Sequence, residues 1–105
     1  YSLSGGGPIM HPRLDVVTLV PMFPHTLSSR PIVIDAASEI RIHIGETNQT
    51  YPHISCDGQT RAGAKPDDVL VIRRKPQRVQ LVHPLGHHFY EVLRSKLGWS
   101  HRLGD

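Results

Sequence analysis

The sequence predicts an all-β, β-sandwich-like domain of short strands with one C-terminal helix. Three observations carry that expectation. Nine Pro and nine Gly in 105 residues keep elements short and turns frequent. Several apolar, β-branched runs of only three to five residues lie between turn signals. Near Phe89 the apolar period changes from two to that of a helix.

In chain order, Tyr1 to Ser4 followed by Gly5-Gly-Gly7 reads as the last turn of a helix closed by a glycine cap, which Pro8 cannot continue. Val16-Val-Thr-Leu-Val20 is a β-branched run expected as a strand buried on both sides. Pro21-Met-Phe-Pro24 then blocks regular pairing, and residues 25–31 read as a polar loop. Ile32 to Ile34 is a short strand. Ile40, Ile42 and Ile44 alternate with Glu39, Arg41 and His43, a half-buried strand with one wet face. Residues 45–49 are turn chemistry. His53 to Asp57 is a strand running into Asp57-Gly58, a dipeptide that favours a tight turn. Residues 61–68 read as a loop, and Val69 to Ile72 and Val79 to Val82 as strands. Phe89, Val92, Leu93 and Leu97 fall on one face of a helix stopped by Gly98.

Composition narrows the function classes. Hydrophobic content of 38% predicts a modest core. The single cysteine, Cys56, rules out an internal disulfide and a Cys-based zinc module, and fits a reducing compartment. No apolar run approaches membrane-spanning length. The net charge of +3 suits an anionic small molecule. Nucleic acid would call for clustered bases with interleaved aromatics, and Arg73-Arg74-Lys75 has none nearby, so it reads as a solvated strand end.

Among chemistry-bearing residues, Gly5 to Gly7 allows close backbone approach to a ligand and equally serves as a plain turn, with no Gly-Lys-Ser/Thr after it. Eight histidines invite a metal reading, yet adjacent His87 and His88 diverge at a helix start, and a solvated set is expected. His53 and Cys56 fall on opposite faces of one strand, so Cys56 is expected as a small buried side chain. Asp57 at a strand end can accept from ribose hydroxyls or shape its turn, and Gln59 can donate and accept at a base edge. These residues alone describe a small β domain for an anionic ligand, without a complete catalytic set.

Three stretches, read together, resemble the carboxy-terminal part of bacterial NAD kinases. They are Tyr1-Ser-Leu-Ser-Gly-Gly-Gly-Pro-Ile9 with His11-Pro12, Leu19-Val-Pro-Met-Phe-Pro-His-Thr-Leu-Ser-Ser-Arg-Pro31, and Ile54-Ser-Cys-Asp-Gly-Gln59. Lys96-Leu-Gly-Trp-Ser100 looks like the end of the Gram-negative enzymes. The resemblance runs the length of the chain. It implies the β domain of a two-domain kinase, α/β then β, with an amino-terminal ATP and catalytic domain outside residues 1–105. The chain lacks an initiator Met, the Thr-x-Gly-Ser-Thr-Ala run that precedes Tyr1 in the family, and the Gly-Gly-Asp-Gly motif with its presumed base. It therefore reads as a piece of a longer protein, inactive alone, with no catalytic residue and no metal ligand of its own.

The implied reaction transfers the γ-phosphoryl of ATP to the 2′-hydroxyl of the adenosine ribose of NAD, with Mg²⁺, in the cytoplasm, by a homodimer or homotetramer. Neither nucleic acid nor membrane is an implied partner. The family's NAD contacts fall on Tyr1, Ser2, Leu3, Ser4 and Gln59, with Asp57 beside the ligand. Phe23 and His25 match a segment that reaches an adjoining subunit's NAD, and Gly5 stands where Ala is common. The alternative is a non-catalytic NAD-binding or assembly module. Lipid kinases of similar architecture lack the Pro21–Pro31 stretch.

Overall fold

The computed structural model describes residues 1–24, 27–46 and 51–99. Its elements are β1 (Val16–Leu19), β2 (Ile32–Asp35), β3 (Ile40–His43), β4 (His53–Cys56), β5 (Gln59–Gly63), β6 (Val69–Ile72) and α1 (Phe89–Leu97). The all-β class with one late helix stands. The strands pair two by two into antiparallel ribbons, β1 with β2, β3 with β6 and β4 with β5.

Local chemistry sets each ribbon. β1 and β2 align Val16 with Asp35 and Leu19 with Ile32, and Ala36 N–H extends the ladder to the Asp15 carbonyl at 3.1 Å. Asp35 ends β2 by accepting the Ala37 amide on its own carboxylate at 2.7 Å, a local side-chain turn. β3 and β6 align Ile40 with Ile72, and Ile44 continues the pair through bonds with Asp67 and Asp68. Entry to β6 is a turn over Lys65–Asp68 with Pro66 second and Asp67 third at φ 70°. The Asp68 carboxylate locks it by accepting the Lys65 amide at 2.9 Å.

β4 and β5 form a hairpin inserted between β3 and its partner. Asp57 and Gly58 have φ of 52° and 78°, the left-handed pair of a two-residue turn whose twist matches its strands. Cys56 faces Gln59 across it. A bulge between Ile54 and Ser55 leaves Arg61 as the extra residue, since Ser55 pairs with Thr60 and Ile54 with Ala62. β5 corrects the expected loop at 61–68, because the tight turn forces a return strand through residues of low strand propensity.

Two further expectations are corrected. Val79 to Val82 forms no strand, and Val79 and Val82 are 89% and 95% exposed. A β-branched run without a partner ladder has nothing to hold it extended. Cys56 is exposed, because no layer covers its side of the hairpin.

Packing between ribbons is thin. Ala36 and Ala64 are the only buried hydrophobic side chains among the described residues. Clefts separate the middle ribbon from its neighbours, one lined by Ile44, Pro52, Ile54, Ala64 and Leu70, the other by Val17, Ala36, Ile40 and Ile72. The accessible surface is 9727 Å², against about 5,900 Å² for a compact chain of this mass. The radius of gyration is 17.9 Å, against about 13 Å expected.

In α1 the stripe forms as expected, but Val92 and Leu97 stay exposed. Gly98 caps it in the left-handed conformation, its N–H and that of Trp99 both returning to the Arg94 carbonyl. At its start, His11 packs edge-on against Phe89 with ring centres 5.0 Å apart. No described helix is long and apolar enough to cross a membrane.

Ion pairs supply long-range links. Asp15 before β1 accepts a hydrogen bond from Arg74 after β6, with Arg78 3.8 Å from the same oxygen. Arg74 is therefore tied across the fold, where a solvated strand end was expected. Glu39 accepts from Arg41 locally at 2.8 Å and lies 4.0 Å from Arg73 beyond β6.

The hydrogen bond from Arg74, with the charges of Arg74 and Arg78, holds the Asp15 carboxyl below its ordinary value of 3.8. A depressed folded-state value means the link stabilises above the unfolded value and fades as pH falls through the folded one. Asp15→Asn should lower the thermal midpoint at neutral pH, and the gap from the parent should close below about pH 4. Melting curves on both proteins across that range check it.

Candidate functional site

The candidate ligand residues begin with the turn over residues 1–7. Gly7 N–H donates to the Ser2 carbonyl at 2.7 Å and Gly6 N–H to the Leu3 carbonyl at 3.1 Å. With Gly6 at φ 82°, this is the paired six-to-one and five-to-two closure of a Schellman motif. The glycine cap expected from sequence is thus present. It shapes residues 1–4 so that Tyr1, Leu3 and Ser4 are exposed and Ser2 is half-buried beneath them.

Asp57 and Gln59 arrive from the β4–β5 hairpin. Both are exposed, Asp57 within the turn and Gln59 as the first residue of β5. The two segments meet through Tyr1. A Cβ built on Gly58 would stand 2.9 Å from the Tyr1 hydroxyl oxygen, so that hydroxyl lies directly over the hairpin turn. Fifty-odd residues of sequence separation are closed by one aromatic side chain meeting a glycine.

Phe23 stands apart from this pairing. It is 90% exposed and has φ 52°, a left-handed conformation costly for a bulky side chain, held between Pro21 and Pro24. His25 lies outside the described residues.

Two supporting residues escaped the sequence reading. A Cβ at Gly5 would collide with Met22 Sδ and stand 2.8 Å from Val20 Cγ1. One at Gly7 would stand 2.9 Å from Val20 Cγ2 and 2.8 Å from the Ser2 carbonyl oxygen. The exit of β1 is thus seated against the turn. The pattern Gly-x-Gly beside a glycine-permitting turn was the available signal.

Histidines gather elsewhere. His11, His83, His87 and His88 line a cleft of about 720 Å³ with Phe89 and Tyr90. His83 and His87 stack face to face with ring centres 4.0 Å apart. Among the described residues no three His, Cys, Asp or Glu side chains converge as a metal cage requires.

Comparison with known proteins follows the same residues. The profile of a family described as "ATP-NAD kinase C-terminal domain" matches residues 1–84. A protein named NAD kinase from Chromohalobacter salexigens is 70% identical over 105 residues, all of this chain and 36% of that protein. One of the same name from Hahella chejuensis is 65% identical over 100 residues, 95% of this chain and 34% of its own length. One from Pseudomonas putida is 56% identical over 104 residues, 99% of this chain and 35% of the relative. The chain thus spans about a third of the length of the relatives it matches.

Gly58→Ala places a side chain at φ 78° and against the Tyr1 hydroxyl. It should destabilise the fold by about 1–2 kcal/mol from the left-handed backbone alone. Adding Tyr1→Phe should recover the steric part and leave the backbone part. A thermal-melt comparison of the two variants and the parent measures both.

Proposed function

The chain belongs to the ATP-NAD kinase family, by its C-terminal domain, and from that premise we propose that it builds the NAD site of a kinase acting on the 2′-hydroxyl of the adenosine ribose. Tyr1, Ser2, Leu3, Ser4, Asp57 and Gln59 hold the dinucleotide. The observation that carries this reading is the approach of the Tyr1 hydroxyl to Gly58, which makes one surface of the turn and the hairpin.

The chemistry suits these side chains. The exposed Tyr1 ring offers a face for a base or nicotinamide to stack on. Ser4 and Gln59 offer donors and acceptors for polar edges, and Asp57 offers a carboxylate to ribose hydroxyls. Phosphoryl transfer is mainly positioning and charge stabilisation. Residues 1–105 supply positioning of the acceptor. The base and the ATP cradle belong to the rest of the protein, and Mg²⁺ arrives with the phosphates of ATP.

Self-association as a homodimer or homotetramer is part of the proposal, with Phe23 and His25 reaching an adjoining subunit's NAD. The surface in excess of a compact chain leaves room for contacts with the rest of the protein and with a second copy. A cytoplasmic setting completes the reading.

The full-length protein should convert NAD to NADP with ATP and Mg²⁺, while residues 1–105 alone should form none. Gln59→Ala in the full-length protein should raise the KM for NAD by about tenfold, the effect of losing one or two hydrogen bonds to substrate. Absence of NADP formation by the full-length protein refutes the function. NADP formation by the isolated chain refutes the division of labour. Titration of the isolated chain with NAD addresses the module alternative, which requires near-intact affinity.

A further inference from the structure

We propose that Met22 is a positioning residue for NAD, acting by seating its thioether in the notch that Gly5 leaves in the ligand-bearing turn. The inference rests on the NAD-site reading above and goes beyond it to a residue outside the ligand surface.

The notch has two walls. Gly5 and Gly7 both lack the Cβ that would fill the space. Val20 straddles the gap, Cγ1 towards Gly5 and Cγ2 towards Gly7. Met22 closes it from the outside, its Sδ occupying the space a Cβ on Gly5 would need and its Cε 3.3 Å from where that Cβ would stand. Val20 is half-buried and Met22 is 45% exposed, so Met22 contributes a lid more than a core contact.

The turn's own hydrogen bonds, Gly5 to Tyr1 and Ser2, Gly6 to Leu3 and Gly7 to Ser2, are all internal and set its shape, so its placement rests on side-chain contacts. Tilt is what aims Tyr1 over Gly58 and presents Ser4. A thioether is well suited to the task, because its flexible, polarizable end fits an irregular gap without strain. Met22 also sits one residue before Phe23, whose left-handed backbone between two prolines fixes the direction of the segment.

A methyl at residue 5 would push the Met22 end outward and press on Val20 Cγ1 at 2.8 Å. Gly5→Ala should therefore weaken the same coupling from the opposite side.

The test uses the full-length protein with NAD, ATP and Mg²⁺. Met22→Ala should raise the KM for NAD by about three- to tenfold, with the KM for ATP and kcat little changed, the pattern of lost acceptor positioning. Met22→Leu, which keeps the volume, should restore most of it. Gly5→Ala combined with Met22→Ala should raise the KM for NAD less than the product of the single effects, because both disturb one contact. An unchanged KM for NAD in Met22→Ala, or equal rises for NAD and ATP, overturns the proposal. A wild-type protein that makes no NADP overturns the NAD-site reading and this inference together, so the two failures are told apart by the unmutated control.

Discussion

Backbone pairing that never goes beyond two strands is the constraint on which this structure depends. A two-stranded ribbon is marginal in water by itself. The described residues contain three, with Ala36 and Ala64 as their only buried hydrophobic side chains. Order within each ribbon is set by its ladder, and only β4 and β5 are also closed by a tight turn. Order between ribbons rests on a handful of links. Asp15 joins the first ribbon to the second through Arg74. Val20 and Met22 join the first ribbon to the glycine turn, and Tyr1 joins that turn to the hairpin of β4 and β5. The hairpin faces the second ribbon across the cleft lined by Ile44, Pro52, Ala64 and Leu70. The candidate ligand surface is one of these joints.

Sequence periodicity located most elements because most are dictated locally. β1, β2 and β6 are short apolar runs, β3 and β4 alternate, and α1 carries a helical stripe. β5 was hidden because Gln59-Thr-Arg-Ala-Gly63 has neither alternation nor β-branched density. Its existence follows from Asp57-Gly58 instead, since a two-residue turn after a strand obliges the chain to come back alongside. The reverse error at Val79 to Val82 has the same root. Strand propensity describes what a segment tolerates, while a strand needs a partner, and here none is supplied. Cys56 was misjudged for a related reason, because burial depends on a covering layer and not on the residue type.

The candidate site was legible in unequal parts. Tyr1 to Ser4, Asp57 and Gln59 came from likeness to a family, and the glycine cap came from chain chemistry. What sequence could not supply was the joining of the two segments, since nothing about Tyr1 announces Gly58 as its neighbour. Nor did it separate the uses of three consecutive glycines. Gly6 serves backbone conformation, at φ 82°, whereas Gly5 and Gly7 serve space, leaving room for Val20 and Met22. These needs look identical in one-letter code and differ completely in what a substitution would do.

The two-by-two pairing also bears on handling the molecule. Every strand among the described residues keeps one edge of amide and carbonyl groups unclaimed by another strand. Such edges recruit further strands from other chains unless charge, curvature or a covering surface intervenes. The bulge at Arg61 twists and charges β5, and Arg41 places charge on β3. β1 carries no such guard within Val16–Leu19, and β2 carries only Asp35 at its end. In a dilute preparation of residues 1–105, that apolar ribbon is the point at which intermolecular sheet growth would begin, and a single lysine on its outward face would be the simplest gatekeeper.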